Sequence, residues 1–191
     1  MDDKAFQEAL KSGHPEAFKK LVEHYQNKVI NTCYGFLHNK EDAEDVAQEV
    51  FIEIYQSIAG FREEAKLSTW IYRISVTKSL DFIRKKTRKK RFGHIRNILG
   101  LNRQVEQIPA PPGANPETNL EHQERARILQ EAVDSLAENQ KIAITLSKYD
   151  GFSNKEIAGI MGTSVSSVEA LIHRAKKNLQ KKLYQYYKKH L

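Results

Sequence analysis

Proline is concentrated in one short segment of this chain, and that segment divides the sequence in two. Four of the five prolines lie between Pro109 and Pro116. Proline fixes φ and lacks the amide hydrogen that a helix needs, so this stretch is predicted not to be helical. We predict a linker over residues 92–118, semi-extended near the prolines, between a domain at 1–91 and a domain at 119–191. A length of 191 residues suffices for two small domains.

The rest of the sequence has the periodicity of α-helices. Apolar residues recur at intervals of three and four, and no segment shows the sustained alternation of a strand. The fold class is therefore predicted to be all-α. The clearest helix has an apolar stripe at i, i+3, i+4, i+7, i+8 and i+11, formed by Ala43, Val46, Ala47, Val50, Phe51 and Ile54. Its exposed face is predicted to be acidic and to carry Asp42, Asp45 and Glu49.

A second long helix is predicted to begin with a cap at Ser68 or Thr69 and to continue into a basic segment that ends at Arg91. Aromatic residues, Trp70 and Tyr72, come first, and the last eight residues include seven Lys or Arg. Cations release counterions from phosphates, and flat side chains stack on unpaired bases. The combination indicates a nucleic-acid surface, although a basic run alone would suit a solvated helix end equally well.

Charge is distributed in alternating blocks. The net charge of +7 divides into −5 over residues 1–66, +10 over 67–103, −5 over 104–140 and +7 over 141–191. Two separated basic surfaces imply two contacts with one polyanion, and the acidic parts suit a basic protein partner.

The C-terminal part has the pattern of a helix-turn-helix. Helices are predicted at about 119–136 and 141–149. Ser153 and Glu156 then form a capping box for a short helix that stops near Gly162. Ser164 caps a longer helix that buries an apolar stripe and exposes lysines. In a DNA-binding helix-turn-helix, this second helix enters the major groove; the same pattern also occurs in plain αα-hairpins. The predicted stripe consists of Val168, Ile172, Ala175 and Leu179.

Three motifs in series resemble regions 2 and 4 of the sigma-70 family, and specifically its small extracytoplasmic-function (ECF) group. They lie at residues 42–51, 68–74 and 157–175, on either side of the proline-rich segment. The resemblance covers nearly the whole chain. It implies two helical domains, and it implies a sigma factor that binds core RNA polymerase, recognises the −10 and −35 promoter elements and helps to melt DNA.

The resemblance also implies three sets of contact residues. The acidic helix would dock on the clamp helices of the polymerase β′ subunit through Asp42, Asp45 and Glu49. The −10 element would be captured and melted by Phe61, Lys66, Ser68, Thr69, Trp70, Tyr72, Arg73, Thr77, Lys78, Arg84, Lys85 and Arg88. The −35 element would be read, beside a contact with the β flap, by Ser164, Ser166, Ser167, Ala170, His173, Arg174 and Lys177. Two departures from the usual pattern are Thr77, where relatives commonly have Asn, and Glu169 with Leu171, where many have Lys and Arg.

The implied partners are core RNA polymerase, promoter DNA and an anti-sigma factor, and no cofactor or metal is expected. No apolar run approaches the length of a membrane span, and the N-terminus lacks the apolar core of a signal peptide, so we expect a cytoplasmic protein without membrane insertion. Cys33 is the only cysteine, which excludes an internal disulfide and a cysteine-based zinc site.

Two other classes of function fit parts of the sequence. A stand-alone helix-turn-helix regulator of duplex DNA would explain the C-terminal helices, but it would explain neither the acidic helix nor the aromatic residues Trp70 and Tyr72. An enzyme could use the carboxylates of the acidic helix as a metal or acid-base site, but that helix contains no histidine at ligand spacing. Binding to duplex promoter DNA without polymerase would distinguish the regulator from a sigma factor.

Overall fold

The computed structural model describes residues 3–62, 65–98, 116–149 and 151–190. Within these ranges the regular structure is helical and includes no strand, which confirms the predicted all-α class. The helices are α1 (Asp3–Lys11), α2 (Pro15–Leu37), α3 (Lys40–Ser57), α4 (Leu67–Ile98), α5 (Pro116–Asp134), α6 (Glu138–Tyr149), α7 (Asn154–Met161) and α8 (Val165–His190), with a short 3₁₀ turn at Ile58–Gly60.

The first core lies among α1, α2, α3 and the beginning of α4. Leu21, Val29, Val50 and Ile71 are completely buried there. Each such side chain contributes about 1.5–3 kcal/mol through removal from water. The predicted stripe of α3 is confirmed, since five of its six members are buried and Phe51 is half-buried against the same core. This packing fixes which side of α3 faces outward.

The beginning of α4 differs from the prediction. The helix begins at Leu67, so Ser68 and Thr69 lie within its first turn and are not its caps. The backbone amide of Trp70 already donates to the carbonyl of Lys66 at 3.1 Å. The predicted cap was wrong because the helical hydrogen bonding starts at Lys66, two residues before Ser68.

The helices extend into both ends of the predicted linker. α4 continues to Ile98, and α5 begins at Pro116, whose missing amide costs nothing in the first turn of a helix. Residues 99–115, which include the other three prolines of the cluster, lie outside the described residues. The division into domains at 1–91 and 119–191 stays a prediction.

A second core joins the two halves of the chain. Phe36 of α2 and Tyr72 and Val76 of α4 belong to the same buried cluster as Leu146 of α6 and Ile157 of α7. The N-terminal and C-terminal helices therefore share apolar surface and pack against each other.

The predicted helix-turn-helix pair is present as α7 and α8. The side chain of Ser153 accepts from the amide of Glu156, whose carboxylate accepts from the amide of Ser153, which confirms the capping box. Gly162 ends α7 with a φ of 65°, in the left-handed region that favours glycine. Ser164 accepts from the amide of Ser167 at 3.2 Å and so caps α8, as predicted.

Candidate nucleic-acid interface

α3 presents an acidic outer face. Asp45 and Glu49 are exposed one turn apart, and their side chains lie opposite the buried stripe. Asp42 is less accessible, because its carboxylate forms an ion pair with Lys86 of α4. Asp45 and Glu49 are therefore the accessible members of the acidic set, whereas Asp42 links α3 to α4.

Two apolar residues on this acidic face were missed from the sequence. Ile52 is 56% exposed and Tyr55 is 58% exposed, and both share the outer face with Glu49. The ring of Tyr55 meets Phe18 of α2 edge to face at 5.0 Å. The sequence could have indicated their exposure, since neither residue falls at the spacing of the buried stripe. Exposed apolar residues beside charged ones are typical of a protein-binding surface.

The aromatic residues of the −10 set lie in different environments. Phe61 and Tyr72 are buried, with 8% and 7% exposure. Trp70 is half-buried, and its ring packs against Phe61 with centroids 5.1 Å apart. Trp70 and Phe61 line a shallow surface cleft together with Glu53, Ser57 and Ile74. Of the three predicted aromatics, Trp70 and Phe61 thus border an open cleft, while Tyr72 points into the second core.

The polar residues on the first half of α4 are accessible to different degrees. Lys66, Arg73 and Thr77 are exposed, whereas Ser68 and Thr69 are half-buried. The hydroxyl of Thr77 donates to the carbonyl of Arg73 at 2.9 Å. The ammonium of Lys78 donates to the carboxylate of Glu53 of α3 at 3.0 Å. Lys78 is therefore held as a link between α3 and α4.

The basic segment of α4 is partly neutralised by acidic side chains. Arg84 donates from Nη1 to the carboxylate of Asp81 at 3.0 Å, and its Nη2 lies 2.7 and 2.8 Å from the two carboxylate oxygens of Glu138 of α6. Hydrogen bonds to Glu138 and then Asp81 raise the pKa of Arg84. Lys85 and Arg88 are exposed, and among the described residues neither forms an ion pair. Of the basic residues predicted to bind the −10 element, Lys85 and Arg88 are thus available for phosphate.

α8 presents a polar and basic face opposite its buried stripe. The side chain of Ser164 lies 3.1 Å from that of Ser166 and 2.8 Å from that of Ser167, so the three serines form one cluster at the N-terminus of the helix. His173 and Arg174 are exposed, and Val168, Ile172 and Ala175 are buried beneath them. The predicted −35 residues therefore share the solvent side of one helix, except Ala170, which is half-buried.

The same face continues beyond the predicted set. After Lys177, the last member of that set, Lys181, Tyr184 and Lys188 follow at intervals of four, three and four residues and are all exposed, with Tyr184 at 67%. α8 has 26 residues. At about 1.5 Å per residue it is nearly 40 Å long. The extra residues could have been found from the sequence, because they keep the spacing of the recognition face.

The two predicted DNA-binding surfaces meet in this structure. Arg73 of α4 donates from Nε to the carbonyl of Ile160 at 3.2 Å and from Nη2 to that of Gly159 at 2.8 Å. The ring of Tyr72 meets Phe152, just before α7, edge to face at 4.6 Å. The sequence patterns alone did not indicate this contact between the predicted −10 residues and the helix-turn-helix.

His38 lies at another junction between the halves. It ends α2 with a φ of 52°, and burial lowers its pKa from 6.5. The charge of Asp134 of α5 opposes this shift, and that of Lys141 of α6 adds to it. A neutral imidazole is therefore favoured where α2 approaches α5 and α6.

Comparison with known proteins connects this arrangement to a family. The family model for Sigma-70 region 2 matches residues 21–89, and that for Sigma-70, region 4 matches residues 126–179. The chain is 34% identical over 175 residues to the ECF RNA polymerase sigma factor SigW of Bacillus subtilis, covering 91% of this chain and 92% of that protein. This chain belongs to the ECF group of the sigma-70 family. It is also 30% identical over 187 residues to the ECF RNA polymerase sigma-E factor of Escherichia coli strain K12, covering 96% of this chain and 95% of the relative.

Solved structures share the fold. CnrH in complex with the cytosolic domain of CnrY superposes with a TM-score of 0.65 at 22% identity, over 96% of this chain and 97% of the other. The sigma factor RpoE of Bartonella quintana, in complex with the anti-sigma factor NepR, gives a TM-score of 0.56 at 21% identity, over 87% of this chain and 96% of the other.

Membership of the ECF group establishes the function at the level of the family. The protein is a sigma factor, a DNA-binding regulator that directs promoter-specific transcription initiation by RNA polymerase. Among the helices that the structure describes, none is long and apolar enough to cross a bilayer.

Proposed function

We propose that the outer face of α3 is the surface that docks core RNA polymerase. Asp45 and Glu49 supply negative charge for arginines of the β′ clamp helices, and Ile52 and Tyr55, which follow them along the helix, supply apolar surface that loses water on binding. Asp42 lies at the edge of this patch, where its ion pair with Lys86 holds α3 against α4. The observation that carries the proposal is the exposure of two large apolar residues, Ile52 and Tyr55, on the same helix face as Glu49.

We propose that the first half of α4 receives the −10 element. The cleft beside Trp70 and Phe61 has one aromatic wall, and an unstacked base could rest against it. Phosphates on either side would meet cations of α4, since a melted strand keeps its backbone charge. Tyr72 and Lys78 act in this proposal through packing and through the link to Glu53. The remaining contacts come from Lys66, Ser68, Thr69, Arg73, Thr77, Arg84, Lys85 and Arg88.

We propose that α8 reads the −35 element from the major groove. Ser166, Ser167 and Ala170 lie near the N-terminus of the helix, where a recognition helix approaches base edges. His173 and Arg174 follow on the same side, and Lys177 extends it toward the backbone. Ser164 acts through its cap on Ser167. The β flap of the polymerase would contact the same C-terminal domain, away from the DNA face.

The cellular setting of the protein follows from this role. Sigma factors act on chromosomal DNA, so we propose a cytoplasmic location and no enzymatic activity of its own. The two solved relatives were each captured with a bound partner, the cytosolic domain of CnrY and the anti-sigma factor NepR. We propose that this chain is likewise held by an anti-sigma factor.

Site-specific photocrosslinking tests the docking proposal directly. A benzophenone amino acid at Ile52 should crosslink to the β′ clamp helices in the complex with core polymerase, because the side chain lies at the centre of the proposed patch. The same group at Glu23, an exposed position of α2, serves as the matched control. Crosslinks from both positions to the same polymerase segment, or none from Ile52, would contradict the assignment.

A further inference from the structure

The last eleven residues of α8 lie beyond the stretch that matches the family model. The match to Sigma-70, region 4 ends at residue 179, whereas α8 continues to His190. Lys181, Tyr184 and Lys188 are exposed in this extension, and we call these three residues the distal face. The match to the family model therefore gives the distal face no role.

The distal face lies on the same side of α8 as the residues proposed to read the −35 element. Lys181 comes four residues after Lys177, Tyr184 three residues later and Lys188 four residues after that. Residues three and four apart lie above one another on a helix, so the four side chains form one line along α8. The distal face therefore faces the same direction as the proposed recognition residues.

The length of α8 carries the distal face past the base pairs. The residues proposed to face bases, from Ser166 to Arg174, span about 12 Å along the helix at about 1.5 Å per residue. The major groove is itself about 12 Å wide, so these residues already fill it. By the same rise, Lys181 and Lys188 lie roughly 10 and 21 Å beyond Arg174 along the helix axis. At that distance the next part of the duplex is the phosphate backbone that borders the groove.

The opposite side of the extension is held by α5. Ile128 and Ala132 of α5 are buried, and they line one cleft with Leu183 and Tyr186 of α8. The hydroxyl of Tyr186 also lies 3.4 Å from the carboxylate of Glu124 on α5. Packing thus uses the side of α8 that faces α5, and it does not require the distal face.

The charge of the extension matches a polyanion. From Ala170 to Leu191 the sequence has seven Lys or Arg and no Asp or Glu. Among the residues that the structure describes, neither Lys181 nor Lys188 forms an ion pair. Tyr184 lies between them and is 67% exposed, and a tyrosine hydroxyl is one of the groups that donate to phosphate oxygens.

We propose that the distal face is a second DNA contact, which binds the phosphate backbone flanking the −35 element. The ammonium groups of Lys181 and Lys188 pair with phosphates, and the hydroxyl of Tyr184 donates to a phosphate oxygen between them. The inference rests on the proposed function of α8, because the first half of the helix must lie in the groove for the distal face to reach the backbone. Phosphate contacts carry no sequence information, so the distal face adds affinity and fixes the orientation of the helix.

Neutralisation of two lysines tests the proposal through salt dependence. For Lys181→Gln/Lys188→Gln bound to core polymerase, the slope of log K against log salt for promoter binding should fall by up to about two, since each phosphate contact contributes about 0.9. Promoters with different −35 sequences should be weakened alike. The matched control is Lys176→Gln/Lys182→Gln, because both lysines are exposed on the same helix but border the clefts beside α5. Circular dichroism verifies that both variants keep the helix, and equal slopes in the two variants overturn the proposal.

Methylphosphonate linkages locate the contact on the DNA. Each linkage replaces one charged phosphate with a neutral group, and a series of promoter duplexes carries one linkage at each position flanking the −35 element. We expect the parent protein, bound to core polymerase, to lose affinity at one or two flanking positions. Lys181→Gln/Lys188→Gln should be insensitive at the same positions, because the partners of those phosphates are gone. A parent protein that is insensitive at every flanking position refutes the contact.

The outcomes also separate this contact from the assignment of α8. If Arg174→Ala relaxes base selection while Lys181→Gln/Lys188→Gln behaves as its control, the distal contact is refuted and the reading of the −35 element by α8 stands. If neither variant alters promoter binding, the assignment of α8 fails as well. If the lysine variant loses affinity for core polymerase and keeps the parent's salt slope on DNA, the distal face binds protein and the DNA contact is refuted.

Discussion

Reversal of two charges on α3 gives the sharpest test of the docking surface. In Asp45→Lys/Glu49→Lys both altered side chains are exposed, and the buried stripe is untouched. The variant replaces two negative charges at i and i+4 with two positive charges at the same spacing. The repulsion within the pair is similar, so helix stability is nearly conserved. We expect the free energy of unfolding to change by no more than about 0.5 kcal/mol, as is usual for surface substitutions.

The effect on core polymerase should be much larger. Close charge pairs across protein interfaces contribute about 1.5 kcal/mol or more each. Loss of two such contacts amounts to about 3 kcal/mol, or more than 100-fold in Kd. Repulsion between the new lysines and arginines of the clamp makes this value a lower bound. The parent affinity should also weaken as salt is raised, because exposed charges are screened.

The assay is equilibrium binding of fluorescently labelled protein to purified core polymerase, with thermal unfolding measured in parallel. Glu16→Lys/Glu23→Lys on α2 is the matched control, since both residues are exposed and the change in net charge is identical. The control should keep its affinity for core. If the α3 variant binds core as tightly as the parent, the acidic face is only solvated surface and the docking assignment is wrong.

Four further predictions concern DNA and pH. Trp70→Phe should keep the fold but reduce permanganate reactivity of the open −10 region, because a smaller ring stacks less well; unchanged footprints make Trp70 structural. Lys85→Gln/Arg88→Gln should lower the slope of log K against log salt by up to about two and weaken all promoters alike. Arg174→Ala should cost about 1–3 kcal/mol and relax selection at one −35 base, whereas a uniform loss would assign it to the backbone. Burial lowers the pKa of His38 in the folded protein, so the unfolded state binds more protons. The contribution of His38 to stability is therefore present above pH 6.5 and is lost as pH falls through the lowered pKa. His38→Asn should make the melting temperature depend less on pH across this range.

Local patterns predicted most of the helices and their exposed sets correctly. The stripe of α3 and the capping box of α7 depend on residues three or four apart, and such contacts form within one helix whatever surrounds it. The same reasoning failed at the start of α4, because Ser68 and Thr69 were read as caps without knowing that Lys66 already accepts the first helical bond. It also missed the exposed apolar residues Ile52 and Tyr55, which do not belong to the buried stripe of α3.

The sequence by itself determined the helices, the acidic and basic faces and the order of the family motifs, because each of these depends on short-range spacing or on composition. Only the tertiary structure decided which charges remain available. Asp42 and Lys86 are 44 residues apart, Arg84 and Glu138 are 54 apart, and Arg73 and Gly159 are 86 apart. No periodicity reports pairs at such separations, since they form only when packing of the shared core brings distant helices into contact. The structure therefore shows that two residues of the predicted −10 set, Arg73 and Tyr72, contact Gly159, Ile160 and Phe152 in or beside the helix-turn-helix.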